Sequence, residues 1–145
     1  MEPYRHYFDI DPDYIPAIDE RTIENKPELW KKFYPHETFI KLLKTFVNVL
    51  DRKQKQSIWV EGAYGTGKSH AVLTLKKLLD VSNEEANAYF DKYKLNNDLK
   101  NNFTRIKDSG RILTVHRYGS SNIHGDNDLV LAIQESIEKA LKKPA

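Results

Sequence analysis

The sequence predicts an α/β fold with three layers, in which a parallel sheet is flanked by helices. Two short segments rich in β-branched and aromatic residues, "SIWVE" at 57–61 and "RILTVHRYG" at 111–119, have the composition of strands. Segments with helical periodicity lie between and after them, and strands that alternate with helices favour a parallel sheet. We expect this sheet to be incomplete and to be preceded by an extended arm and a helix.

The arm is predicted from its prolines. Residues 1–35 hold five of the six prolines in the chain, which excludes long helices and leaves room for a short helical turn near "ELWKKFY". The chain therefore divides into an N-terminal arm at 1–35 and the N-terminal part of one domain at 36–145.

Helices are predicted where apolar residues recur every three or four positions. In "HETFIKLLKTFVNVL" this spacing produces one apolar face. Ser82, followed three residues later by Glu85, is the signature of a capping box. The expected helices cover 36–50, about 68–79, a segment beginning at Ser82, about 97–107, and the closing segment "DNDLVLAIQESIEKAL".

Composition excludes several classes of protein. No apolar run approaches the ~20 residues that a membrane-spanning helix needs, and the acidic, aromatic N-terminus lacks the pattern of a secretory signal. There are no cysteines, which fits the cytoplasm. A net charge of +2 argues against a dedicated nucleic-acid surface, so we expect DNA as a partner only indirectly and no membrane partner.

The segment "GAYGTGKSH" carries the spacing G-x-x-x-x-G-K-S of a phosphate-binding loop, between a predicted strand and a predicted helix. Its glycines allow successive N–H groups to turn toward a phosphate, and the helix beginning near Lys68 adds its free N–H groups. Lys68 is the candidate catalytic residue, as the cation at the β- and γ-phosphates, and the Ser69 hydroxyl is the candidate Mg²⁺ ligand. The predicted nucleotide-binding residues are Gly62, Ala63, Tyr64, Gly65, Thr66, Gly67, Lys68, Ser69 and His70.

ATP is the predicted nucleotide, with Mg²⁺, because the motifs D-x-x-G and N-K-x-D of common GTPases do not follow the loop. Hydrolysis also needs an acid, usually at the end of an apolar strand. "RILTVHRY" ends in His116, Arg117 and Tyr118 instead, and Asp51 ends a segment with helical spacing before the loop. We therefore expect the catalytic acid to be missing from these residues and the chain to be inactive alone.

Other polar residues allow weaker hypotheses. His70 is either structural or a sensor of the γ-phosphate. His116 and His124 form a possible pair of metal ligands, with polar loop residues as the plainer interpretation. Arg111 and Arg117 are either charge clamps or ordinary surface residues. Phe33–Glu37 either cover an adenine or belong to the core and a turn.

With "FYPHETFIKLLKTFVNVL" before the loop and "RILTVHRYGSS" after it, the chain resembles the N-terminal ATPase part of large bacterial proteins of the AAA+ and STAND-like class. The ending G-K-S-H is similar to that of ATPases in phage-defence systems of the BREX kind. The resemblance covers about residues 30–142 and implies a phosphate-loop NTPase fold within a longer chain. It also implies that other domains or subunits are the partners.

Two other functions remain open at this stage. A small-molecule kinase shares the loop, although 56 residues precede Ser57 here. A non-catalytic interaction protein could hold a nucleotide permanently or not at all.

Overall fold

In the computed structural model, residues 22, 25–52, 57–63, 65–110, 112–117 and 123–142 are described. The helices, in chain order, are the 3₁₀-helix η1 (Leu29–Lys32), α1 (Glu37–Leu50), α2 (Lys68–Asp80), α3 (Asn83–Lys92), α4 (Asn97–Asp108) and α5 (Asp126–Leu141). The helices expected from periodicity are confirmed, and η1 lies where a helical turn was expected in the arm. Most of the arm, residues 1–21 with 23 and 24, lies outside the described residues.

Side-chain caps explain where three of these helices begin. The His36 ring accepts a hydrogen bond from the Phe39 N–H, and Asn96 caps α4 by accepting from the Asp98 and Leu99 N–H groups. At α3 the Ser82 hydroxyl accepts from the N–H of Glu85, 3.2 Å away, as the capping box predicts. Each cap satisfies N–H groups that a helix cannot pair internally.

The predicted three-layer α/β fold with a parallel sheet is wrong. Residues 57–63 and 112–117, where strands were expected, have no regular secondary structure, and the described residues contain no strand. A strand exists only through its ladder with a neighbour, and no backbone hydrogen bond between described residues joins these two segments. β-propensity along one segment says nothing about a partner, so composition alone overpredicted the sheet.

The core is instead formed by helices packed on helices. α1 packs against α4, α4 against α3, and α2 against η1. One cluster of buried residues joins all of these elements, and its fully buried members include Trp30, Phe39, Leu43, Leu78, Phe90 and Phe103. Because the helices bury their apolar faces against one another, this core is closed without a sheet.

The described part of the arm is fixed to α3 by two tyrosines. The Tyr89 hydroxyl donates to the Phe33 carbonyl and the Tyr93 hydroxyl to the Lys31 carbonyl, each at 2.8 Å. The Trp30 ring is 1% exposed, and its centroid lies 5.4 Å from that of Tyr89. Buried, satisfied hydrogen bonds of this kind hold the end of the arm rigidly against the helices.

α5 is the least buried helix. Of its residues only Ala132 is buried, while its large apolar side chains are exposed, namely Leu129, Val130, Leu131, Ile133, Ile137 and Leu141. Within the described ranges, no helix has the length and hydropathy to cross a bilayer.

Candidate functional site

The glycines of the motif take the backbone conformation that a phosphate loop needs. Gly65 and Gly67 both have φ of +79°, in the left-handed region that side chains disfavour. Gly67 is also the N-cap of α2, so the turn out of the loop leads directly into the helix. The N–H groups of the first turn of α2 have no acceptor within the helix and are available to an anion.

Gly62 is closely packed against other residues of the same loop. A Cβ atom built on it would lie 2.9 Å from Thr66 Oγ1 and 3.5 Å from Lys68 Cδ. The Thr66 hydroxyl also donates to the Ala63 carbonyl at 2.8 Å across the same turn. The loop is therefore closely packed at Gly62, where a Cβ atom would require the Thr66 hydroxyl to shift.

Lys68 lies across the loop. Its Nζ donates to the carbonyls of Gly62 at 2.7 Å and Ala63 at 2.5 Å, and lies 3.4 Å from Thr66 Oγ1. The ammonium group therefore sits where both ends of the motif converge. An incoming phosphate can replace these exposed carbonyl acceptors with oxygens that carry the opposite charge, so that donor and acceptor are both ionised.

The structure brings together Gly62, Ala63 and Gly65 to Ser69, whereas Tyr64 lies outside the described residues. Ser69 is exposed at the first turn of α2, and its hydroxyl makes no hydrogen bond to the described part of the chain. The exposed position of Ser69 at the start of α2 suits a hydroxyl ligand to Mg²⁺.

His70 points toward the arm. Its ring centroid lies 4.7 Å from that of Phe33, and its Nε2 atom is buried with no hydrogen-bond partner among the described residues. Burial lowers the pKa of His70, while a hydrogen bond to the backbone of Leu29 acts in the opposite direction. This placement favours the structural interpretation of His70 over phosphate sensing.

The loop forms one end of a cleft of about 620 Å³. Gly62, Thr66, Gly67 and Lys68 line that end. The other walls are 57–61 and the part of α1 up to Thr45, together with its N-cap. The residues that line the cleft on this side are His36, Thr38, Phe39, Lys41, Leu42 and Thr45. The volume falls within the range of ~300–1,000 Å³ that is usual for small-molecule sites.

Sequence reasoning missed most of this cleft. Thr38, Lys41 and Thr45 are separated from the loop by more than fifteen residues and belong to no motif, so no local pattern marks them. His36 belongs to Phe33–Glu37, the segment for which the sequence leaves open a role in covering the adenine. Glu61 directly precedes the motif, and adjacency could have pointed to it. Its carboxylate accepts a hydrogen bond from Trp59 Nε1 at 2.7 Å.

Apart from His36, the other candidate residues that the structure describes lie outside the cleft lining. Asp51 pairs with Arg105 at 2.8 Å, and the His124 N–H donates to Asp128 in the first turn of α5. Phe33 is buried in the core, whereas His36 of the same segment lines the cleft. No group of three or more potential metal ligands occurs in the described ranges, and Arg111 is outside them.

Comparison with known proteins adds no relative: no protein-family model matches the chain, and neither characterised proteins nor solved structures contain a significant match.

Proposed function

We propose that this chain binds Mg-ATP through Gly62–Ser69 and serves as the nucleotide-binding module of a larger ATPase. The observation that carries the proposal is the position of Lys68, whose ammonium group lies on the Gly62 and Ala63 carbonyls at the centre of the loop. Gly65 and Gly67 supply the left-handed turns that such a loop requires. An ammonium group, free helix N–H groups and little steric bulk are together the chemistry of phosphate binding.

The residues also fit Mg²⁺, since Ser69 presents an exposed hydroxyl beside the lysine. Ser69 would hold the metal, which would supply positive charge to neutralise the phosphates. The role of the chain is then to bind the phosphates at the helix N-terminus, to place Lys68 beside them and to offer Ser69 to the metal.

Hydrolysis is proposed to depend on residues elsewhere in the assembly. Glu61 is the acid that lines the cleft, and its carboxylate is held by the Trp59 indole. A general base must reach the attacking water directly. We therefore propose that other domains or subunits supply the base and respond to the nucleotide state.

The biological process, the cellular compartment and the choice of nucleotide are proposed from the sequence. The ending G-K-S-H supports a bacterial phage-defence ATPase, and the absence of cysteine supports the cytoplasm. ATP rather than GTP is proposed because the GTPase motifs do not follow the loop.

The experiment is calorimetric titration of Mg-ATP into the wild type, Lys68→Ala and Lys44→Ala. Lys44 is an exposed residue of α1 outside the cleft lining, so its loss removes the same charge without touching the loop. We expect Lys68→Ala to weaken binding at least ~10-fold, from the loss of charge-assisted hydrogen bonds worth about 1.5–3 kcal/mol each. Equal affinities of Lys68→Ala and Lys44→Ala for Mg-ATP would refute the proposal.

A further inference from the structure

The cleft extends well beyond the part that phosphates would occupy. Its α1 wall runs from Thr38 to Thr45, eight residues of helix that rise about 10 Å. The opposite wall is formed by 57–61, which leads directly into Gly62. A ligand held by its phosphates at the loop therefore has room to continue along α1.

The α1 end of the cleft combines apolar and polar groups. Leu42 and Ile58 are partly buried there, and Thr38, Lys41 and Thr45 add hydroxyl and ammonium groups. Apolar walls with a few polar groups are typical of sites for small organic ligands. The Thr45 hydroxyl donates to the Lys41 carbonyl at 3.0 Å, so its oxygen is left as an acceptor.

Trp59 adds an aromatic surface to the same cleft. It lines the cleft and is 83% exposed, although a tryptophan normally buries most of its ring. Its indole N–H is held by Glu61, which limits the orientations of the ring. Exposed, oriented aromatic rings are the usual platforms on which nucleobases stack.

We propose that the α1 end of the cleft is a nucleoside subsite, in which Trp59 stacks on the base and Thr45 lies beside its polar edge. This inference rests on the proposed function, since it concerns the rest of a nucleotide whose phosphates occupy the loop. The base and ribose would then lie between α1 and 57–61.

The test compares Mg-ATP with Mg-tripolyphosphate, which has the phosphate chain without the nucleoside. Affinities are measured by calorimetry for the wild type, Trp59→Leu and Thr45→Phe. Trp59 is exposed, so its replacement leaves the core intact, and Thr45→Phe fills the subsite. Lys44→Phe is the matched control, because it places the same ring on α1 outside the cleft.

The wild type is expected to bind Mg-ATP roughly 5- to 150-fold more tightly than Mg-tripolyphosphate, the range that stacking on an aromatic side chain supplies. Trp59→Leu or Thr45→Phe should reduce this preference to less than about 2-fold, with the affinity for tripolyphosphate retained. Lys44→Phe should retain the preference. Mg-ATP should also quench tryptophan fluorescence when tripolyphosphate does not, because Trp30, the other tryptophan, is 1% exposed.

Two results would overturn the nucleoside subsite: equal affinity of the wild type for the two ligands, or a preference for Mg-ATP that is retained in both Trp59→Leu and Thr45→Phe. Neither result would contradict phosphate binding by the loop. Binding of neither ligand to the wild type overturns the proposed function and the subsite with it.

Discussion

Replacing Gly67 by alanine tests whether the backbone of the loop is the feature that matters. At φ of +79° and ψ of 12°, an alanine would be held in the left-handed region at a cost of about 1–2 kcal/mol. A Cβ there would meet no atom within 4 Å, so the penalty is conformational and not steric. The reduced entropy of the unfolded chain offsets about 0.4–1 kcal/mol of it.

Gly125 provides a close control. It is also the N-cap of a helix, and its Cβ would also meet open space, but its φ of −174° is extended backbone that any residue adopts. Both substitutions replace an N-cap glycine by alanine, so any loss of stability that alanine causes at an N-cap is the same in the two variants. The difference between the two variants therefore isolates the left-handed conformation of Gly67.

Urea unfolding and Mg-ATP titration measure the two consequences. We expect the free energy of unfolding of Gly67→Ala to lie about 1–2 kcal/mol below that of Gly125→Ala, because the reduced entropy of the unfolded chain is common to both variants. If the loop of Gly67→Ala instead relaxes to a conformation that does not bind phosphate, the cost of about 1–2 kcal/mol lowers the affinity for Mg-ATP by about 5- to 30-fold. Equal stability and equal affinity of the two variants would refute the claim that the left-handed turn supports binding.

Further predictions concern acids, buried cations and pH. Glu61→Gln should strengthen ATP binding a few-fold in the absence of Mg²⁺, since it removes a carboxylate from the cleft that receives the phosphates; unchanged calorimetric affinity would place Glu61 away from them. Lys107→Met should lower the free energy of unfolding in urea by about 1–3 kcal/mol, because the Lys107 ammonium donates to the Leu78 and Val81 carbonyls at the end of α2; wild-type stability would contradict this. Burial lowers the pKa of His70 below its unfolded value of about 6.5, so the stability contributed by neutral His70 is complete above about pH 6.5 and is lost as the pH falls through the lower folded value. The stability of the wild type relative to His70→Gln should therefore decline from pH 7 to pH 5 in urea titrations, and a constant difference would show that His70 does not titrate on unfolding. Steady-state ATP hydrolysis by the purified chain should not exceed that of Lys68→Ala, and robust turnover would reveal a catalytic acid within this sequence.

The helices were predictable because their signals are local. Apolar periodicity located α1, and the pair of Ser82 and Glu85 located the start of α3. The turns of the loop were equally local, since only glycine adopts φ of +79° at little cost, and both Gly65 and Gly67 do so.

Local sequence signals could not show that the expected sheet is absent from the described residues, or that the cleft exists. Both depend on contacts between residues that are distant in the sequence. The side chains of 112–117 alternate between half-buried and exposed, as in a strand. Thr114 nevertheless bonds to Asp80 of α2, and no strand lies beside this segment among the described residues. The walls of the cleft at Thr38 and Thr45 likewise exist only because α1 packs near 57–62. The residue types and spacing within a single segment do not show which other segment it will pack against.

The most direct test of the central claim is to locate Mg-ATP on the chain by amide chemical-shift mapping. We expect the largest shifts on the N–H groups of Gly62 and of Gly65–Ser69, and no shift on those of α5. Saturating Mg-ATP that leaves the loop amides unshifted, or that shifts only amides outside the cleft, would contradict it.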